Sequence, residues 1–161
     1  MANAQAEHYV ALVQRMYECF NRQDLDTIRN EIFASDIVWN LPGRHPLAGT
    51  KYGAEEVIAF FAQLGRANVQ VTLDPAADPA TRVDIFGEDT VVEVHRGKGQ
   101  TTTRDASGNE ATVVLNALNC THYKIRSGRI AEVQVYISDQ YSVDTFFSAV
   151  YRLKPIPDRL A

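Results

Sequence analysis

The chain has 161 residues, 45% apolar and 22% charged, the make-up of one globular domain with a single core rather than of a disordered or fibrous chain. A formal charge of −4, with no Lys/Arg run longer than two residues, excludes the electrostatic footprint of a nucleic-acid binder. No apolar run approaches the roughly 20 residues that span a bilayer, and the polar start at Met1 lacks a signal-peptide pattern, so the expectation is a cytoplasmic protein with no membrane partner.

In chain order, Tyr9, Leu12, Val13, Met16, Tyr17 and Phe20 recur with the rhythm of a helix that buries one face. Asn21 and Asp24 punctuate it, and a shorter helix follows with Leu25, Ile28, Ile32 and Phe33 on one side. Residues 36–41 read as a short strand. It stops at Pro42-Gly43, turns through His45-Pro46 and releases into a third helix after Gly53, with Val57, Ile58, Phe60, Phe61 and Leu64 on its apolar face. From Val69 the period drops to two, with a Pro-containing break over 74–79 before Val83 and Ile85. Residues 90–103 and 111–126 read as long strands joined by a hairpin loop from Asp105 to Asn109, and 129–138 as a last strand after the Ser127-Gly128 turn. A final helix, capped by Ser142, buries Val143, Phe146, Phe147, Val150 and Tyr151 and is ended by Pro155 and Pro157. Helices first and hairpin-linked strands after predict an α+β domain over 1–161, with a core over about 9–148 and a C-terminal helix and tail over 142–161. The sheet should be antiparallel, strongly curved into a cone and wrapped around the N-terminal helices, and the inside of the cone is where a ligand would lie. Cys19 and Cys120 both fall in apolar-periodic segments and read as buried free thiols.

This order of elements, with Asn21-Arg-Gln-Asp-Leu-Asp26 between the first helices, resembles the nuclear-transport-factor-2-like superfamily. The segments Trp39-Asn-Leu-Pro-Gly-Arg-His-Pro-Leu-Ala-Gly49, Arg126-Ser-Gly-Arg-Ile130 and Asp139-Gln-Tyr-Ser-Val-Asp144 resemble its SnoaL-like branch. The resemblance implies the cone-shaped fold, and a superfamily of isomerases, polyketide cyclases, dehydratases, epoxide hydrolases and proteins without chemistry. In the ketosteroid isomerase of this superfamily a Tyr on the first helix and an Asp late in the sheet polarise a carbonyl, while a second Asp before the Pro-Gly turn shuttles a proton. Matching segments place Met16, Thr121 and Leu41 at those positions, which argues against steroid isomerisation of that kind. No Asp-Arg-Asp relay of the limonene-epoxide-hydrolase pattern stands here either.

Strand parity fills in the expected cavity. Trp39 shares a side with Leu41, and Leu115, Ala117 and Asn119 share one with Thr121. On the last strand Val133, Val135 and Ile137 share a face that Asp139 continues if no bulge intervenes. The polar points are then Trp39, His45, Asn119, Thr121, Asp139 and Tyr9, among apolar walls that include Met16 and Phe60. Asp139 is the candidate base, raised in pKa by apolar neighbours, and equally a candidate helix cap. His45 is the candidate acid or oxyanion donor, or an inert turn residue. Trp39, Asn119, Thr121, Tyr9, Met16 and Phe60 would hold the substrate, or simply pack and pair among themselves.

The outer sheet face is read as carrying Glu93 and His95 from one strand and Cys120 and His122 from the next, beside Leu118 and Tyr136. Their spacing matches no metal-ligand motif, so the face is assigned to pairing of two copies of the chain, as the superfamily resemblance implies; neither a metal nor another cofactor is expected. The resulting expectation is an isomerase, cyclase or dehydratase acting without cofactor on a small hydrophobic carbonyl compound. The alternative is a protein that binds a hydrophobic metabolite without turning it over.

Overall fold

A computed structural model describes residues 2–104 and 106–151. Asp105 of the expected hairpin loop, and Pro155 and Pro157 of the expected helix end, lie outside the described residues. Helix α1 (Ala2–Asn21) buries Val13, Met16, Cys19 and Phe20 along one stripe. Asn21, at its last turn, acts as a two-point clamp: its Nδ2 donates to the Val71 carbonyl at 2.7 Å and its Oδ1 accepts from the Val71 amide at 2.9 Å. A short α2 (Leu25–Thr27) is capped by Asp24, whose Oδ1 accepts from the Thr27 amide at 3.2 Å, and runs on as a π-helical turn over Ile28–Ile32. The turn ends one residue before the sequence reading places it. Phe33 leaves the helix to open β1 (Phe33–Leu41), because it pairs with Ile130 of the last strand.

A strand not foreseen from sequence follows, β2 (Gly49–Tyr52), paired antiparallel to β1 from Val38↔Tyr52 to Leu41↔Gly49. After it come α3 (Gly53–Arg66), β3 (Gln70–Thr72), β4 (Arg82–Phe86), β5 (Thr90–Arg104), β6 (Glu110–Arg126), β7 (Arg129–Ile137) and α4 (Gln140–Val150). The fold is α+β. One curved, unclosed seven-stranded sheet has the order β2-β1-β7-β6-β5-β3, with β4 also on β5, and only β1 and β7 pair in parallel. The N-terminal helices lie before it in the chain and the short α4 after it.

The long strands keep period two to their ends. On β6 Leu115, Ala117, Asn119, Thr121, Tyr123 and Ile125 are all buried, while Asn116, Lys124 and Arg126 are exposed. Helix α3 packs on β1, and α4 packs on β6 and β5. The core gathers around Phe61, with ring centroids 5.0 Å to Trp39, 5.3 Å to Phe20 and 5.6 Å to Phe33, each at a steep edge-to-face angle. The cap of α4 is Asp139 and not Ser142: the Asp139 carboxylate accepts from the Ser142 amide at 3.1 Å and from its hydroxyl at 2.5 Å. Both thiols are free; Cys19 is buried as expected, but Cys120 is only half-buried, on the outward side of β6. Among the described residues no helix is long and apolar enough to cross a membrane.

Candidate functional site

The β5–β6 register decides what faces the helices. Glu93 stands opposite Thr121, His95 opposite Asn119 and Gly97 opposite Ala117. Residues directly opposite in an antiparallel pair point to the same side, so Glu93 and His95 turn inward with Asn119 and Thr121. This corrects the sequence reading, which put them on the outer face with Cys120 and His122. Glu93 is 0% exposed and His95 8%. Cys120 and His122 do point outward, as does Tyr136.

Turned inward, these residues form one connected polar cluster. His95 Nδ1 lies 2.8 and 3.1 Å from the two Glu93 oxygens. The Tyr17 hydroxyl from α1 donates to Glu93 Oε1 at 2.9 Å, and that of Tyr123 from β6 does so at 3.0 Å. The two hydroxyls are 2.6 Å apart, and Tyr17 Oη is also 3.2 Å from His95 Nδ1. Each of these neighbours can donate to Glu93, although with one proton per hydroxyl the 2.6 Å contact between the tyrosines engages one of the two phenol protons. With Nδ1 within 3.1 Å of both Glu93 oxygens, the tautomer that suits the pair carries its proton on Nδ1 and leaves Nε2 as an acceptor, 3.5 Å from Asn119 Nδ2. Burial, and after it the nearby Glu93 charge, push the Tyr17 and Tyr123 phenols well above their ordinary range, so both stay protonated donors.

His95 lines a cavity of about 80 Å³. Phe20, Trp39, Phe60, Phe61 and Phe147 wall it, and His95, Gly97 and Asn119 floor it. Asn119 Nδ2 is 3.5 Å from His95 Nε2. Val135 and Ile137 reach it from β7 and Val143 from α4, so nearly all its surface is apolar except along the β5–β6 floor.

Of the residues chosen from sequence, Trp39, Phe60 and Asn119 line this cavity. Thr121 is fully buried beyond it, opposite Glu93. Met16 is fully buried in the core, and it is the next residue along, Tyr17, whose side chain reaches the cavity. Tyr9 packs against the core from the first half of α1, where its hydroxyl accepts from Gln5 at 2.9 Å. His45 and Asp139 sit where the 42–48 loop meets α4, outside the lining. His45 is 5% exposed, its ring 4.9 Å from that of Phe147. Its Nδ1 accepts from the Leu47 amide at 3.2 Å, and its Nε2 stands 4.0 Å from Asp144. Burial lowers the His45 pKa against the opposing pull of Asp144, so the ring is held neutral. The Asp139 carboxyl is exposed, and its bonds to Ser142 hold its pKa below the ordinary value, the reverse of the raised pKa expected from apolar walls. The strand that was to carry Asp139 inward ends at Ile137.

Tyr17, Glu93, His95, Gly97 and Tyr123 are the residues the sequence reading did not bring to the site. A signal for the three on β5 was present. A hairpin loop centred between Asp105 and Asn109 pairs residue 104 with 110, and counting back from there sets His95 against Asn119. Among the described residues no group of three or more His, Cys, Asp or Glu side chains is placed to hold a metal ion.

The sequence profile of the SnoaL-like domain matches residues 13–133. The uncharacterised protein Rv0034 of Mycobacterium tuberculosis is 26% identical over 140 residues, 85% of this chain and 94% of that protein. Among solved structures, Bal32a from a soil-derived mobile gene cassette is similar with a TM-score of 0.71 and 25% identity, over 89% of this chain and 98% of its own. A protein from Xanthomonas campestris pv. campestris, provisionally named a polyketide cyclase, gives a TM-score of 0.63 at 23% identity over 91% of this chain and 99% of its own. An epoxide hydrolase of the LEH-like type from M. tuberculosis gives 0.60 at 12% identity, over 90% and 86%.

Proposed function

The chain belongs to the SnoaL-like domain family, and on that premise we propose that it moves a proton next to the carbonyl of a small, mainly apolar compound, with His95 as the base. The observation that carries this is the buried Glu93–His95 pair, at 2.8 Å, with His95 on the cavity lining. Removal of a proton from the carbon beside a carbonyl is the step that isomerases, cyclases and dehydratases acting on carbonyl compounds have in common. The likeness to proteins named for cyclase and hydrolase activity supports a chemical role for this fold.

In this reading the substrate enters between the aromatic walls and presents its acidic C–H bond to His95 Nε2. The C–H electron pair passes into the carbon skeleton and onto the carbonyl oxygen, giving an enolate, while the proton makes His95 an imidazolium. Glu93 accepts from Nδ1–H throughout and stabilises that positive charge; Tyr17 and Tyr123 hold Glu93 in place without giving up their own protons. Return of the proton to a different carbon completes an isomerisation. The step uses only the side chains named. His45 and Asp139 take no part in it: they fasten the 42–48 loop and the start of α4 at the cavity rim.

The test is deuterium uptake from D2O into a panel of small enolisable ketones, followed by proton NMR with the wild-type protein and with His95→Gln. His95-dependent uptake is the expected result. Ketones that stabilise the protein against heat yet return with all their protons would sink the enzymatic reading and leave the binding one.

A further inference from the structure

Two residues that line the cavity each carry a fully buried polar atom with no hydrogen-bond partner among the described residues: the indole Nε1–H of Trp39 and the amide Oδ1 of Asn119. The residues are only 4% and 9% exposed, a setting in which unpaired polar groups are rare in native proteins. One of the atoms can only donate and the other can only accept. The amide places its Nδ2 toward His95 Nε2, at 3.5 Å, and Oδ1 is the end of that side chain left without a partner. A third observation comes from Gly97, two residues after His95 on the same face of β5. Glycine in mid-strand costs stability and marks a close approach to the backbone. Yet a Cβ added there would meet only Asn119 Nδ2, at an ordinary 3.9 Å. No protein atom requires the glycine; what it keeps clear is cavity space beside Asn119.

We propose that the cavity is built for an α-hydroxy ketone head group. With small rotations of the two side chains, its carbonyl oxygen accepts from Trp39 Nε1–H and its hydroxyl donates to Asn119 Oδ1, and it lies over the Gly97 backbone. The inference rests on the reading of His95 as base and names the substrate class for that site. The cavity, at about 80 Å³, is about half the size of the ~150 Å³ hollow that takes up benzene, so the enclosed head is short. Because Asn119 Oδ1 only accepts, it holds a hydroxyl that stays on the molecule and supplies no proton to one that leaves. The matching reaction is an isomerisation rather than loss of water. His95 takes the hydrogen of the hydroxyl-bearing carbon and the C–H pair forms the carbon–carbon double bond of an enediolate. The hydroxyl proton then passes to the former carbonyl oxygen, and His95 returns its proton to the former carbonyl carbon.

Trp39 is the chain's single tryptophan, so its fluorescence reports occupancy directly. Hydroxyacetone and acetone, which differ by one hydroxyl, are the probes. Hydroxyacetone is expected to give a saturable change with a Kd at least about fivefold below that of acetone, and Asn119→Leu to bring the two together. Gly97→Ala adds no clash, so it is expected to melt no lower than wild type while weakening hydroxyacetone by a similar factor, and it carries the test if the Asn119 variant fails to fold. Equal affinity for the two ketones in the wild type, no saturable change with either, or undiminished binding by Gly97→Ala would each overturn the proposal. Deuterium uptake into hydroxyacetone separates it from the catalytic reading. Discrimination without His95-dependent uptake keeps the head-group site and removes the base, whereas uptake without discrimination does the reverse.

Discussion

Two histidine–carboxylate pairs lie close to the same cavity, and they are made differently. His95 and Glu93 stand two residues apart on one strand, both buried, at 2.8 Å, with the histidine on the cavity lining and its other nitrogen 3.5 Å from Asn119 Nδ2. His45 and Asp144 come from a loop and a helix, stand 4.0 Å apart, and the His45 Nδ1 is taken up by the Leu47 amide. A strand fixes side-chain direction through a ladder of hydrogen bonds on both sides, whereas the 42–48 loop spends its polar groups on its own closure. Asp144, for its part, accepts from the Arg44 amide at 2.9 Å and from Gln140 at 2.9 Å. In the proposed function the inner pair hands a proton outward, whereas the rim pair keeps a turn in shape.

The comparison breaks if the two histidines respond alike. His95→Gln should lower deuterium uptake by about 10²–10⁴-fold, the range for loss of a positioned base, read by NMR at matched protein concentration. Glu93→Gln should cost less in rate, on the order of 10²-fold, because the base remains while the stabiliser of its charged form is lost. It should also lower folding stability by roughly 1–3 kcal/mol in urea melts, since a buried set of donors loses its best acceptor. Tyr17→Phe with Tyr123→Phe sharpens the picture through pH. Both phenols are raised above the ordinary value of 10.0, so above that pH the unfolded chain releases protons that the folded chain keeps. Stability is therefore whole below the ordinary value and falls as pH rises past it. Urea melts of the double variant across that range should show a flatter alkaline decline than wild type.

Smaller effects belong to the rim. Asp139→Asn should leave uptake within about twofold and soften the acid limb of a thermal stability profile. The wild-type carboxylate, held below its ordinary value by the Ser142 bonds, contributes fully at neutral pH and loses that contribution as pH falls through its lowered value. His45→Gln should change uptake least of all once corrected for the folded fraction. A loss there matching that of His95→Gln would reverse the assignment of the two pairs.

Much of this was legible in the amino-acid pattern. Tyr9 to Phe20, and Val57 to Leu64, carry helix periods that hold in the fold, and alternation tells which residues of β6 share a side with Thr121. Two features were not, each for a physical reason. Alternation within β5 says that Glu93 and His95 share a side but not which side, since only pairing to β6 links one strand's parity to the next. Asp139 was carried inward by extending the β7 period past its end, but Asp is a better helix cap than strand residue, and the strand stops at Ile137. β2 escaped notice because four residues, Gly49 to Tyr52, become a strand only through their partner β1.

The parallel pairing of β1 with β7 sets an order of events for the newly made chain. Trp39 aligns with Val133, so the first strand to leave the ribosome has to wait for nearly the last before that edge of the sheet can close. Such distant contacts are slow to form because loop closure precedes their reward. The hairpin of β5 and β6, whose contacts are local, is free to form first and carries Glu93, His95 and Asn119 on its inner face. The cavity floor would then be assembled ahead of the aromatic wall, and burial of the lone indole would mark the closing step of folding.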